Sequence, residues 1–192
     1  GPDQFRQAAI FQVDNEVKNY VELEIGGAEA FGKMIEEELY FPYTWRIPHF
    51  KESETNETLI RLTPQGTFYG FREKLPEDEP GTSLSSDEAQ KIAENAADEK
   101  WGVDLTVFGL VEKSQKVQPG DRTDHTFVYE RPDVKLGEAR YRLRLVVGGD
   151  RLTELTHFVK IPETFLREYQ EMRSANNTIA TSALIVAAVI YI

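Results

Sequence analysis

The stretch ARYRLRLVVGGDRLTELTHFVKIP, residues 139–162, decides the fold class. Apolar and charged side chains alternate along its first half, with Tyr141, Leu143 and Leu145 on one face and Arg140, Arg142 and Arg144 on the other. Gly148-Gly149-Asp150 has the composition of a hairpin turn, and RLTELTHFVKIP returns as the next strand. The stretch therefore predicts an antiparallel β-hairpin.

The sequence before this hairpin predicts more strands and one helix. VFGLVEKSQKV (107–117) and HTFVYER (125–131) are strand-like, the second with alternating aromatics. In SSDEAQKIAENAADEKWG (85–102), Ser85 and Glu88 form a capping box and Gly102 closes the helix. One face of this helix is apolar and consists of Ala89, Ile92, Ala93, Ala96 and Trp101. A helix followed by an antiparallel meander predicts an α+β layer pair.

The first half of the chain has similar elements. A short strand, AAIFQV, precedes Asp14, which is placed to cap the helix NEVKNYVELEI; a second helix, AEAFGKMIEEEL, follows. Three strands come next: YTWRIPHF, TLIRLT and TFYGFREKLP. YTWRIPHF corresponds in order to HTFVYERP, TLIRLTPQG to RLRLVVGGD, and EKLPED to VKIPET. We therefore expect two repeats, joined by the linker PEDEPGTSLSS at 76–86.

The C-terminal segment differs in composition. FLREYQEMRSANN predicts a polar helix or stalk, and TIATSALIVAAVIYI (178–192) contains no charge but is shorter than the about 20 residues that cross a bilayer. We expect it to be the start of a transmembrane helix that continues past Ile192. The alternative is a buried C-terminal helix or strand.

Composition excludes several function classes. The 192 residues carry a formal charge of -11, from 33 acidic and 22 basic residues, and contain no clustered basic run, so a nucleic-acid surface is not expected. The absence of cysteine rules out disulfides, thiolate zinc sites and cysteine nucleophiles.

Few residues are candidates for catalysis. His49, His125 and His157 have no helical metal-site spacing, so no metal site is expected. Asp124 and His125 could be a base oriented by a carboxylate, but no Ser or Thr stands on a nucleophile elbow. The interpretation we favour is structural, with Asp124 organising the turn that enters the strand by bonding backbone N–H groups.

Two surfaces are candidates for binding. The arginine face of 140–144 could receive an acidic peptide, and aromatic residues of the first half could line a groove for an extended one. Our candidate contacts are Tyr43, Trp45, Tyr69, Arg140, Arg142 and Arg144. Phe68 and Phe71 belong to the same aromatic set, and the interpretation we favour for most of this set is that it belongs to the core.

RTDHTFVYER (122–131), YTWRIPHF, RLTPQGTFYGF and the tandem halves together resemble the extracytoplasmic region of bacterial CPBP-type, CAAX-processing-like intramembrane metalloproteases. The resemblance runs from about Ala8 to Asn177. It implies two PepSY/cystatin-like modules, each a helix packed on an antiparallel sheet, at 3–80 and 81–165, then a helical stalk at 166–177 and the start of a transmembrane helix at 178–192.

The catalytic motif of that family is Glu-Glu-x-x-x-Arg with later histidines on membrane helices. In this chain Phe41 and Pro42 stand where the arginine would follow the glutamates at 36–38, so no catalytic residue is carried over. The resemblance places the enzyme part and its metal ion beyond Ile192, and it implies no cofactor within this segment.

The function expected from the resemblance is a non-catalytic regulatory or substrate-gating domain at the bacterial cell membrane, with its soluble part extracytoplasmic. Its partners would be its own membrane catalytic domain or another membrane protein, and an extended peptide. The alternative is an assembly domain that docks a membrane partner without regulating proteolysis. A self-contained soluble hydrolase is disfavoured, because the residues that would form its nucleophile and metal site are not recognisable.

Overall fold

The computed structural model describes residues 5–38, 40–51 and 57–190, and the side chains of 8–38, 40–49 and 57–176. Residues up to Lys160 form one compact unit, and Ile161 onward forms a second. The helices of the described part are α1 (Asn15–Tyr20), α2 (Gly27–Glu36), α3 (Ser86–Trp101) and α4 (Glu163–Ile190), with a π-helical segment at Val21–Ile25 and a 3-10 turn at Leu105–Val107. The α+β class predicted from the sequence is confirmed.

The strands form one antiparallel sheet. They are β1 (Phe5–Gln7), β2 (Ile10–Val13), β3 (Tyr43–Lys51), β4 (Glu57–Leu62), β5 (Phe68–Lys74), β6 (Gly109–Val117), β7 (Thr123–Glu130), β8 (Arg140–Gly148) and β9 (Arg151–Lys160). Their order is β1-β3-β4-β5-β9-β8-β7-β6, with β2 also on β3. Because β1 and β2 pair with successive parts of β3, they act as one interrupted edge strand, and the sheet is eight strands wide.

The two halves of the sheet are two meanders that meet through their last strands. β5 and β9 pair at only two positions, Phe71 with Leu155 and Arg72 with Glu154. Gly70 is required beside this junction, since a Cβ there would lie 2.5 Å from the Leu155 carbonyl oxygen. The correspondences predicted between the two halves match β3 with β7, β4 with β8, and β5 with β9. The module boundaries at 80/81 and 165/166 remain predictions.

Helix α3 covers the second meander and begins and ends as predicted. Ser85 and Glu88 form the capping box, and Gly102 takes a left-handed conformation at φ 66°. Its fully buried stripe is Ala89, Ala93 and Ala97. Ala97 is therefore buried where the sequence predicted Ala96. The stripe packs on a core formed by Phe127, Tyr129, Leu143, Leu145, Val147 and Leu155. Small side chains on the helix let it lie close to large ones on the sheet.

The helices of the first half also begin where the sequence predicts. The Asp14 side chain accepts a hydrogen bond from the Val17 N–H at 3.1 Å and caps α1. Tyr20 links α1 to the β7–β8 loop: its hydroxyl donates to the Leu136 carbonyl at 3.3 Å and accepts from the N–H groups of Glu138 and Ala139. The two halves therefore share contacts beyond the strand junction.

Helix α4 runs continuously through the predicted stalk and into the predicted apolar segment. The side chains from 177 and the whole of residues 191 and 192 lie outside the described part. Within the described residues, no helix has the length and apolar content needed to cross a bilayer. The transmembrane helix at 178–192 remains a prediction.

Candidate functional site

A cavity of about 230 Å³ lies beside the β5–β9 junction, where the two meanders separate. Both meanders contribute to its wall: β3, β4 and β5 from the first, β8 and β9 from the second. We call it the arginine pocket, after the residues that define it: Arg46, Arg61, Arg72 and Arg144, with Thr44, Thr156, Tyr40, Tyr69 and His157. The lining also includes Asp14 and Phe158.

Strand register brings the arginines together. Arg46 and Arg61 are direct cross-strand partners on β3 and β4. Arg72 and Glu154 are partners at the β5–β9 junction, and Arg144 is opposite Thr156 on the next strand. Directly opposed side chains of an antiparallel pair project from the same face. Four guanidinium groups from four strands therefore converge on one face of the sheet.

Glu154 is the carboxylate at the centre of this face, and its side chain is only 9% exposed. Arg72 donates to it twice, from Nε at 2.8 Å and from Nη2 at 3.1 Å. Arg144 approaches the same carboxylate at 3.9 Å and lies over the Phe158 ring, 4.9 Å from its centroid. The bidentate pair holds Arg72 in place, and hydrogen bonding to Glu154 raises the pKa of Arg72.

Arg46 and Arg61 have a different environment. In the described part of the chain, no ion pair or hydrogen bond reaches either guanidinium, and Nε of Arg46 is buried without a partner. Burial, with the adjacent charge of Arg46 as the next cause, lowers the pKa of Arg61. This half of the pocket holds two half-buried guanidinium groups, and the charge of Glu154 offsets that of Arg61 only in part.

The aromatic side of the pocket lies in the gap between β5 and β9. Tyr69 and His157 stack there with ring centroids 4.7 Å apart, and the Tyr141 hydroxyl lies 2.7 Å from Nδ1 of His157. Burial lowers the pKa of His157 to about 4, with Arg61 and Arg131 adding to the effect. Burial also raises the pKa of Tyr69 well above its ordinary value. The rings are therefore neutral near pH 7.

A larger cavity of about 490 Å³ lies on the other side of the Arg72–Glu154 pair, and its wall includes Arg122, Asp124 and Glu73. Several of its charges are paired: Arg122 bonds Asp124 at 2.8 Å, and Arg151, outside the wall, bonds Glu73 through Nη1 and Nη2. Glu57 and Lys74 of the wall are opposite charges at one cross-strand position. The larger cavity therefore offers a ligand fewer unpaired charged groups than the arginine pocket does.

Of the six candidate contacts, the structure brings only Tyr69 and Arg144 into this pocket. Tyr43 and Trp45 instead contact the Phe11 ring, at centroid distances of 6.0 and 4.9 Å. Arg142 pairs with Glu130 at 2.9 Å, and Arg140 donates to the carbonyls of 137–139. Phe68 and Phe71 pack on Trp101 of α3.

Asp124 and His125 lie at the start of β7 against the linker. Asp124 accepts hydrogen bonds from the side chains of Arg122 and Gln118, rather than the backbone N–H groups we expected. His125 is 1% exposed, with Nε2 3.0 Å from the Leu84 carbonyl oxygen. Arg122 also donates to the carbonyls of Pro76 and Glu79. These contacts fasten the linker to the sheet and are of the structural kind.

No metal centre is found in the described part of the chain, where no three His, Asp or Glu side chains are grouped closely enough to hold an ion. The histidines lie on three different strands, His49 on β3, His125 on β7 and His157 on β9.

The sequence reasoning missed Arg46, Arg61 and Arg72. Arg46 and Arg61 each stand between two apolar residues, in WRI and IRL, and Arg72 follows Phe71 in FRE, and these positions were the available signal. Comparison with known proteins adds nothing to the identification: the chain matches no protein-family model, no curated protein and no solved structure.

Proposed function

We propose that this chain is a non-catalytic regulatory domain that binds an extended peptide at the arginine pocket and thereby gates a CPBP-type intramembrane protease. The observation that carries the binding part is a cavity built by both meanders at their two-pair junction. A ligand there touches both halves of the sheet, so binding can change how firmly they are held together.

The protease part of the proposal is supported by the sequence resemblance, which covers two PepSY-like modules, and by the apolar residues 178–192 that would lead into a membrane. On this proposal the soluble part is extracytoplasmic, the metal ion and the catalytic residues belong to the membrane domain, and the pocket limits which peptides reach it.

The pocket is a better place for the peptide than the exposed edge of the sheet. Edge strand β6 carries a bulge between Leu110 and Glu112, and Lys113 and Lys116 stand on it. Bulges and lysines oppose indiscriminate strand addition. The pocket, in contrast, has one buried donor, Nε of Arg46, that no described group satisfies.

The test uses the full-length protein reconstituted in vesicles, with cleavage of a reporter substrate as the readout. The double variant Arg46→Gln with Arg61→Gln removes two charges and leaves no carboxylate of the pocket without its described partner. The matched control is Arg140→Gln with Lys91→Gln, which removes the same charge elsewhere and leaves Glu130 paired with Arg142. We expect the first pair to change the cleavage rate and the second to leave it unchanged. Equal rates in wild type and both variants would refute regulation through this pocket.

A second candidate is an assembly domain that docks a membrane partner without affecting proteolysis. It is favoured by β6, whose nine residues are all exposed and which pairs only with β7 among the described strands. A partner strand with acidic side chains would complement Lys113 and Lys116. Substituting both lysines with glutamate would then abolish complex formation while the cleavage rate stays at the wild-type value.

A further inference from the structure

The chemistry of the arginine pocket is set by an imbalance of charge. Four guanidinium groups face two carboxylates, Asp14 and Glu154, although the whole chain has a formal charge of -11. A local positive field in an acidic protein is unlike the surface around it. The imbalance therefore points to a ligand rather than to general surface composition.

Neither carboxylate is available to the unpaired arginines. Asp14 is occupied as the cap of α1 and accepts a second hydrogen bond from the Tyr40 hydroxyl at 2.9 Å. Glu154 is held by Arg72 in a bidentate pair. The positive charge left over in the described pocket is that of Arg46 and Arg61, with Arg144 only loosely engaged at 3.9 Å.

The arrangement of Arg46 and Arg61 is unfavourable in the absence of an anion. Like charges directly opposite on paired strands destabilise a sheet, and a buried donor without an acceptor adds the cost of its lost hydration. The lowered pKa of Arg61 has the same origin, burial beside Arg46. An anion between the two guanidinium groups would relieve both costs at once.

The size of the pocket limits the ligand to a small group. Its volume of about 230 Å³ is below the roughly 300–1,000 Å³ of cavities that enclose a drug-sized molecule. Guanidinium groups bind phosphate and carboxylate oxygens through parallel hydrogen bonds, and threonine hydroxyls at 44 and 156 add further donors.

We propose that the arginine pocket binds an oxyanion group, held between Arg46 and Arg61 and completed by Arg144. Two sources share this chemistry: a free anion such as phosphate, and the carboxylate of an acidic side chain in an extended peptide. The inference deepens the proposed function by giving the charge of its ligand, and it rests on that function only for the peptide as the source.

Binding to the 192-residue chain is tested by calorimetric titration with two probes at constant ionic strength. The probes are inorganic phosphate and an acetylated Gly-Glu-Glu-Gly peptide; sodium chloride and the Gly-Gln-Gln-Gly peptide are their controls. We expect saturable binding to the wild type. The affinity should fall about 10-fold or more in Arg61→Gln, because the variant loses a hydrogen bond between a guanidinium group and the anion. The matched variant Arg140→Gln should bind as the wild type does.

The outcomes distinguish the two sources of the anion, and they distinguish the anionic ligand from the regulatory function. Tighter binding of the peptide assigns the acidic side chains as the natural group, and binding of phosphate alone assigns a free anion; either supports the site. No saturable binding of either probe, or equal weakening in Arg61→Gln and Arg140→Gln, would overturn it. Arg46→Gln serves as the second variant if Arg61→Gln unfolds. If binding fails while the Arg46/Arg61 double variant still alters cleavage, the regulatory function stands and only the anionic ligand is wrong.

Discussion

Neutral His157 makes the stability of the fold depend on pH in a defined window. Its pKa is about 4 in the folded protein against 6.5 for an unperturbed imidazole, because burial disfavours the charged form and Arg61 and Arg131 repel it. Between these values the unfolded chain binds a proton that the folded chain does not. The contribution is therefore fully present above pH 6.5 and is lost as pH falls toward 4.

The magnitude follows from the shift. At about 1.4 kcal/mol per pKa unit, the full effect is about 3 kcal/mol, of which about 2 kcal/mol falls between pH 7 and pH 5. The ring lines a pocket and is partly accessible, so water stabilises some of the imidazolium charge and reduces this value. We expect a loss of about 1 to 2 kcal/mol between pH 7 and pH 5.

The perturbation that isolates this effect is His157→Phe. A phenyl ring keeps the stacking on Tyr69 but cannot accept the Tyr141 hydroxyl, which costs about 1 kcal/mol at every pH. Urea unfolding at pH 5, 6, 7 and 8 gives the free energy of unfolding of both proteins. The wild type should fall by about 1 to 2 kcal/mol more than the variant from pH 7 to pH 5. Parallel curves would mean that the imidazole titrates alike in both states, and would refute the reasoning.

Four further substitutions test helix capping and packing. Ser85→Ala removes the cap of α3 and should lower the free energy of unfolding by about 1 kcal/mol in urea denaturation; no change would mean that the capping box contributes nothing. Ala93→Leu adds volume at a site that is 0% exposed and should cost about 1 to 3 kcal/mol; a gain in melting temperature would reveal an unfilled space. Gly70→Ala forces a Cβ against the Leu155 carbonyl oxygen and should separate the strands of the junction, lowering the melting temperature, whereas Gly32→Ala, with nothing within 4 Å, should raise stability by up to about 1 kcal/mol. Equal melting temperatures for the two glycine variants would contradict the close approach.

The elements that were predicted correctly depend on local signals. Helix α3 is specified by a cap at each end, and β8 by a strict alternation of arginine and apolar side chains, so neither needs knowledge of distant residues. Two residues of the predicted α3 face differ from the buried stripe. Ala97 is buried where Ala96 was predicted, because the stripe follows steps of four residues, and Trp101 is 38% exposed. A periodic pattern predicts which face of a helix is buried better than it predicts the burial of each residue at the border of that face.

The arrangement of the two halves could not be predicted, because it is not local. Nothing in FYGFREK or RLTELTHF indicates that these strands pair with each other, and only two residue pairs join them. The arginine pocket follows from that pairing, since it brings Arg72 beside Glu154 and opens the gap that Tyr69 and His157 fill. The π-helical segment before Gly26 was also unexpected, since the sequence predicted one helix through NEVKNYVELEI.

Edge strand β6 affects how readily copies of the domain stack on one another. A nine-residue edge with exposed Val111 and Val117 is a template on which copies of the chain could stack in register. The bulge after Leu110 breaks the match of hydrogen bonds, and Lys113 and Lys116 place like charges against each other in any such stack. Acetylation of the two lysines would remove this local repulsion between stacked edges, while it makes the net charge of the chain more negative than -11.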